Sequence, residues 1–154
     1  MMVIRGLENY GYSDLAREIA LEHLARTAEL FQQTGTIWEN YAPDSVAPGK
    51  PAKRDFVGWS GIGPILFLLE YGIGLKPDAL ANKLEWDLRP NKRVGCERYR
   101  FKGHTVDLLA TPTGNGQSWE VTVRSNGAFT FELKTSSLAK TCPVVEGTNR
   151  YRLD

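Results

Sequence analysis

The chain has 154 residues, 42% hydrophobic and 24% charged, with a formal net charge of +1. This is an ordinary composition for one globular domain or two small ones, and it carries no electrostatic footprint for nucleic acid or an anionic membrane. The longest apolar stretch, Ile62 to Leu69, contains Pro64 and is far shorter than the ~20 residues of a membrane span.

The opening MMVIRGLENYGY lacks the charged start, apolar run and cleavage site of a signal peptide, which favours the cytoplasm. Cys96 and Cys142 are too few for a disulfide framework, although they could pair. His23 and His104 are isolated, so the sequence calls for no metal and no cofactor.

In chain order, residues 3–10 read as the tail of a helix, followed by Gly11. Ser13 is a good N-cap, and Asp14 suits the first turn of a second helix. From Asp14 to Gln33 the pattern is helical. Leu15, Ile19, Leu24, Ala28 and Phe31, with Ala16 and Ala20, are expected on the inward side, and Gly35 is a natural C′ residue.

Thr36 to Arg54 is a loop with three prolines and Gly49, and long loops without structure of their own are often functional. Ser60 can cap the next helix, and Pro64 is tolerable in its first turns. Ile62, Ile65, Leu66, Phe67, Leu68 and Leu69 cover every side of that helix, which predicts a buried one ended by Gly72 and Gly74. Helices are expected over 13–33 and 60–71, packed roughly antiparallel.

Lys76-Pro77-Asp78 reads as the start of a short helical linker that separates 1–76 from 84–154. From Leu84 the period becomes two. Leu84, Trp86 and Leu88 alternate with charges, and Tyr99 and Phe101 precede the hairpin signal Lys102-Gly103. Val106, Leu108 and Ala110 form the next strand, and a turn follows at Thr113-Gly114-Asn115-Gly116. Trp119, Val121 and Val123 are followed by the turn Ser125-Asn126-Gly127 and then by Phe129, Phe131 and Leu133. A last strand runs near Arg150 to Leu153. Five or six such strands read as an antiparallel, sandwich-like β domain with the Trp119, Phe129 and Phe131 stripe as core. His104, beside a hairpin turn, is expected to be exposed. The fold class is mixed, α then β.

The candidate site is TIWENYAPDSVAPGKPAKRDFVGWSG, residues 36–61. Glu39 stands between Trp38 and Tyr41, and the chain returns through Asp55, Phe56 and Trp59. A carboxylate among aromatic rings suits carbohydrate. The acid does proton chemistry, and flat apolar rings stack on the C–H faces of a sugar. On the residues alone Glu39 reads first as an exposed loop carboxylate. Trp38 and Tyr41 either line the site or pack under the loop, and Trp59 is either a sugar platform or a helix anchor. Asp55 could bind a hydroxyl or cap its own turn. Lys50, Lys53 and Arg54 read as a solvated loop face, and His23 needs no special role.

At TIWENYAPD and DFVGWSG the chain resembles the bacterial trehalase-like and family 63-like glycoside hydrolases, including mannosylglycerate hydrolase relatives. The likeness covers residues 3–75. It implies the C-terminal helices of an (α/α)6 toroid barrel followed by an appended β domain. Glu39 matches the general base of an inverting hydrolysis, and Trp59 matches an aromatic near the sugar. No segment matches the family's general acid. The glycine-rich stretch of trehalases is replaced by SVAPGKPAKR, which turns the expected substrate from trehalose toward another α-glucoside, an α-linked oligosaccharide or a glycosyl-glycerate.

The partners implied are a carbohydrate substrate and the missing N-terminal part of the barrel, with neither nucleic acid nor membrane. The chain then reads as a fragment of a longer product, because Met1 and Met2 open in mid-helix, or as one chain of a split protein. Alone it is expected to be inactive. The competing readings are a non-catalytic carbohydrate-binding module, which would need an exposed aromatic row on the β part, and a purely structural end-piece.

Overall fold

The computed structural model describes residues 1–89, 92–114 and 118–154. The turn expected over Thr113 to Gly116 falls partly on Asn115 and Gly116, outside the described residues. The chain divides into two compact units, residues 1–72 and 73–154. Helices come first and strands after, the mixed α-then-β arrangement read from the sequence. Among the described residues, no helix is long and apolar enough to cross a membrane.

In the helical unit, α1 spans Met2–Asn9 and α2 spans Ser13–Thr34. Helix α2 starts one residue earlier than a Ser13 cap requires: Tyr12 holds the cap position and offers no side-chain hydrogen bond. Asp14 does sit in the first turn, and Gly35 closes the helix in the left-handed region at φ 73°, its N–H donating to Phe31 O.

The inward face of α2 is the expected one only at Ala16 and Ala20. Ala16, Ala20, Thr27 and Leu30 are buried, while Leu15, Ile19 and Phe31 are between 41% and 48% exposed. With half-buried His23, the buried residues step by four and three along the helix, a stripe of small and polar side chains. The bulky apolar residues lie on a different side.

Helix α3 spans Ile62–Phe67 and runs directly into a π-helical segment, Leu68–Ile73. Its cap position is Gly61, not Ser60. Burial on all sides is also not observed. Pro64, Phe67, Glu70 and Tyr71 are buried, while Ile62, Ile65 and Leu68 are exposed. The unit's core is Ile4, Ala16, Ala20, Phe67 and Tyr71. Beside it, Arg5 donates to both oxygens of the buried Glu70 carboxylate at 2.7 and 2.6 Å, tying α1 to the π-helical segment. Arg17 of α2 donates to the Tyr71 carbonyl, and burial pushes the Tyr71 phenol above its usual range.

Among the described residues the β unit has eight strands: β1 Leu75–Asp78, β2 Lys83–Asp87, β3 Val94–Phe101, β4 His104–Thr113, β5 Ser118–Ser125, β6 Phe129–Lys134, β7 Ala139–Val144 and β8 Gly147–Leu153. They form two sheets, ordered β1-β2-β6-β7 and β3-β4-β5-β8. The segment Lys76-Pro77-Asp78 is therefore strand and not helical linker. Pro77 is tolerated because β1 is an edge strand, and the Asp78 carboxylate accepts Ala81 N–H at 2.9 Å in the turn that follows.

Among the described residues all ladders are antiparallel except β2–β6, which is parallel, so the unit is mainly antiparallel as its strand pattern predicts. A parallel pair needs a long crossover, and here the chain supplies it by building β3, β4 and β5 in the opposite sheet before returning.

The inward stripes of both sheets meet in one core. Trp86, Phe131, Leu84, Leu133, Val106 and Val123 have no exposed surface, and Phe101 packs edge-on to Phe129 across the sheets at 5.3 Å. The stripe of Trp119, Phe129 and Phe131 is core as read from its period. Each such large side chain contributes about 1.5–3 kcal/mol on burial. Trp86 N–H also donates to Ile73 O at 2.9 Å, so the one polar atom of its ring is satisfied.

His104 is half-buried, against the expectation of exposure; a Cβ on Gly127 would lie 2.1 Å from its ring, so the imidazole packs on the turn. Cys96 and Cys142 are both free thiols.

On the outer face of the first sheet, the parallel register sets Glu85 opposite Glu132. The repulsion is met diagonally: Lys83 bonds Glu132 at 2.9 Å, and Lys134 bonds Glu85 at 2.7 Å and Glu132 at 3.1 Å. Hydrogen bonds from Lys83 and Lys134 hold the Glu132 carboxyl below its ordinary range.

Candidate functional site

The segment after α2 folds back on itself. Ala42 N–H donates to Ala47 O at 2.9 Å and Gly49 N–H to Asn40 O at 3.1 Å, with Tyr41 bridged to Pro48. The Asn40 amide donates to Pro51 O at 3.1 Å, and a Cβ on Gly49 would lie 2.0 Å from the Asn40 side-chain oxygen. The proline- and glycine-rich composition thus gives a hairpin-like loop with its own hydrogen bonds. Glu39 stands at its base.

The second motif closes on the first. Ser60 Oγ donates to the Glu39 carbonyl, and a Cβ on Gly58 would lie 3.4 Å from Glu39 Cγ and 3.7 Å from Oε1. The Ser60 hydroxyl, expected to cap α3, instead joins the two loops. The Gly58 backbone thus lies within van der Waals reach of the Glu39 side chain, at a φ of 53° that glycine adopts freely. TIWENY and FVGWSG, separated in sequence, are neighbours at Glu39.

Tyr41 lines three clefts: one of about 420 Å³ lies between α2 and the loop, with His23 and Arg26 in its lining, and two border the paired motifs. One, about 730 Å³, is lined by Glu39, Asn40, Tyr41, Asp44 and Lys50 among others, so it is polar where the carboxylate lies. The other, about 550 Å³, is lined chiefly by apolar side chains: Ile19, Tyr41, Trp59, Ile62 and Phe67 with His23. Trp59 is 83% exposed, a flat ring standing free at that second cleft. Tyr41 is half-buried, and its hydroxyl is buried with no hydrogen-bond partner. Trp38 is half-buried, its indole N–H donating to Thr34 Oγ1 at 3.1 Å. Asp55 is exposed at φ 63° and lines neither cleft. Tyr41 thus stands between Glu39 in the polar cleft and Trp59 in the apolar one, with Trp38 anchored to the end of α2 and Asp55 outside both.

Sequence reasoning passed over two contributors. Ser60 was legible as a hydroxyl near a helix start, but not as the link to Glu39. His23 packs edge-on against Tyr41 at 5.9 Å and against Phe67 at 5.3 Å. Burial, with a smaller effect of the terminal ammonium, holds its imidazole below the usual range. The available signal was its place in the 16-20-23-27-30 stripe. Among the described residues, no group of three or more His, Cys, Asp and Glu is placed to hold a metal ion.

No solved structure matches the chain. It is 23% identical over 164 residues to a protein of Borreliella burgdorferi (strain ATCC 35210) described as uncharacterized. That alignment takes in 99% of this chain and 34% of the relative, so the chain spans about a third of the relative's length. The family model described as Trehalase matches residues 1–72, the unit that carries Glu39, Tyr41 and Trp59. The helical unit is therefore similar to the trehalase-like glycosidases.

Proposed function

We propose that the chain is the C-terminal portion of an inverting glycoside hydrolase, trehalase-like and close to family 63, with Glu39 as its general base. The observation that carries this reading is the junction at Glu39. Two loops are tied there by Ser60, the Gly58 backbone lies against the Glu39 side chain, and the clefts on either side of Tyr41 hold Glu39 in one and the open Trp59 in the other. The match of residues 1–72 to a glycosidase family supports the same chemistry. The substrate class is an α-glucoside, an α-linked oligosaccharide or a glycosyl-glycerate.

In this mechanism Glu39 takes a proton from a water on the face of the sugar opposite the leaving group. A general acid from outside these residues protonates the leaving oxygen. The two carboxyl groups then stand about 6.5–9.5 Å apart, with the water between them. Trp59 stacks on the sugar, Tyr41 forms the wall between the polar and apolar clefts, and Trp38 anchors the loop through Thr34. Asp55 serves the turn that brings Trp59 back. The preceding helices of an (α/α)6 barrel complete the site, with residues 1–76 as its last helices. The β unit from residue 84 onward is an accessory to the barrel.

A glycan-binding role for the β unit finds less support. Its large aromatics Trp86, Phe101, Trp119, Phe129 and Phe131 are buried, and its exposed large apolar residues among those described are Leu80, Leu109 and Val145.

The test uses the enzyme with the rest of its barrel and a soluble α-glucoside. Glu39→Gln keeps the shape but cannot accept the proton, so kcat should fall by about 100–10,000-fold with KM near the parent's. Trp59→Ala should chiefly raise KM, by about tenfold, because it removes an apolar platform and no proton-transfer group. Turnover of Glu39→Gln near the parent's would place the base elsewhere.

A further inference from the structure

We infer that His23 is a positioning residue for the Glu39 loop, an imidazole braced between Phe67 of α3 and Tyr41 that fixes the Tyr41 ring where the polar and apolar clefts meet. The inference rests on Glu39 being the general base.

The geometry is a three-ring chain. The His23 ring lies at 90° to Phe67 and at 82° to Tyr41, with centroids 5.3 and 5.9 Å away. Both are edge-to-face arrangements, the orientation that ring quadrupoles favour. Phe67 is itself buried and packs on Tyr71 at 6.0 Å, so the far end of the chain is set in the core of the unit. His23 also seats against the start of α3, since a Cβ on Gly63 would lie 3.9 Å from Nε2.

Helix α2 can approach this closely because its neighbouring inward residues, Ala16 and Ala20, are small. Tyr41 has no hydrogen bond through its hydroxyl, so its position is set by packing and by the backbone bridge to Pro48. Tyr41 follows Glu39 by two residues and lines the clefts on both sides. A shift of its ring therefore moves the wall of the polar cleft and the backbone beside the carboxylate. Burial keeps the imidazole uncharged at neutral pH, which suits a ring used for its shape.

The experiment compares His23→Ala, His23→Phe, Tyr41→Ala and the His23→Ala/Tyr41→Ala double variant in the enzyme with its complete barrel, and follows fluorotyrosine at position 41 by fluorine NMR. His23→Ala should lower kcat about tenfold with KM within about twofold, since misplacing a catalytic group costs rate more than binding. The fluorine resonance of Tyr41, assigned with Tyr41→Phe, should move or broaden. His23→Phe restores a flat ring without nitrogens and should recover most of the rate and the parent resonance. The double variant should be no slower than Tyr41→Ala alone, because the two residues act as one unit.

Multiplying effects in the double variant would overturn the brace. So would a Phe variant as slow as the Ala variant, which would make the nitrogens the working atoms, or an unmoved Tyr41 resonance in His23→Ala. If the parent hydrolyses no glycoside while the resonance responds as described, the enzyme reading fails and the brace stands.

Discussion

Gly74→Ala should strongly destabilise the β unit, and the cost can be worked from two glycines. Gly74 has φ 95°, and a Cβ there would lie 2.1 Å from the Asp87 carbonyl oxygen and 3.0 Å from its carbon. Gly103, in the β3–β4 hairpin turn, has φ 80° and nothing within 4 Å of an added Cβ. Gly103→Ala therefore carries backbone strain alone, about 1–2 kcal/mol, partly offset by a less flexible unfolded chain.

Gly74→Ala carries the same strain and a collision with main chain, which cannot swing aside as a side chain can. Relieving it means drawing Gly74 and Asp87 apart by about an ångström, which breaks the 2.9 Å bond from Asp87 N–H to Gly74 O at a buried position. An orphaned buried group costs about 1–3 kcal/mol. The total is about 2–5 kcal/mol, or a fall in Tm of roughly 8–40 °C for a unit of this size. Thermal unfolding of the whole chain, followed by near-ultraviolet circular dichroism of the buried Trp86 and Trp119, reads it. A Gly74→Ala midpoint within a few degrees of Gly103→Ala would refute the argument.

Two further outcomes are expected. The 154-residue chain alone should turn over no α-glucoside, because a two-carboxylate mechanism needs an acid that these residues do not supply; robust hydrolysis by the purified chain would displace the assignment. The β unit should lose stability in acid through Glu132. Its carboxyl is depressed by Lys83 and Lys134, so the stabilisation is complete above the ordinary carboxylate value of about 4.3 and is lost as pH falls below it through the lower folded value. Glu132→Gln should be less stable than the parent at pH 7 and should show a flatter fall in Tm between about pH 5 and pH 2. An unchanged slope would remove Glu132 from the account.

What could be read from sequence depended on how much of a pattern one residue carries. Trp119-Val121-Val123 and Phe129-Phe131-Leu133 were legible because one face of each strand is buried and the period is two. Strand β3 was half-hidden. Its register shifts between Cys96 and Tyr99, with Arg98 at φ 55°, and a bulge scrambles alternation. Strands β1 and β7 each carry a proline, Pro77 and Pro143, which reads as a break until the strand is known to be an edge. The parallel β2–β6 pair left no local mark, since direction is decided by the crossover. At the candidate site, the motif pair names Glu39, Tyr41 and Trp59, and the two loops that carry them touch at Glu39. The contact of His23 with Tyr41 is a packing fact that neither residue announces.

The face of α2 shows why volume misled. Leu15, Ile19 and Phe31 are the strongest apolar signals in the helix, yet the residues inside are alanines, Thr27 and Leu30, with His23 half-buried. The helix carries two sides able to pack, and the smaller one is used within residues 1–72. Helix α3 repeats the pattern, with Phe67 inward and Ile62, Ile65 and Leu68 outward. Val3 on α1 and Trp59 before α3 join the same exposed apolar set. The β unit, in contrast, turns its apolar stripes onto one another and closes its own core. A helical body that closes a core on Ile4, Phe67, Tyr71 and two alanines and still leaves Leu15, Ile19, Ile62, Ile65 and Leu68 outside has the pattern of helices packed on two sides, with one layer inward and another beyond. In the reading proposed above, that further layer is the rest of the barrel, and the same helices that would carry its weight hold the Glu39 junction in place.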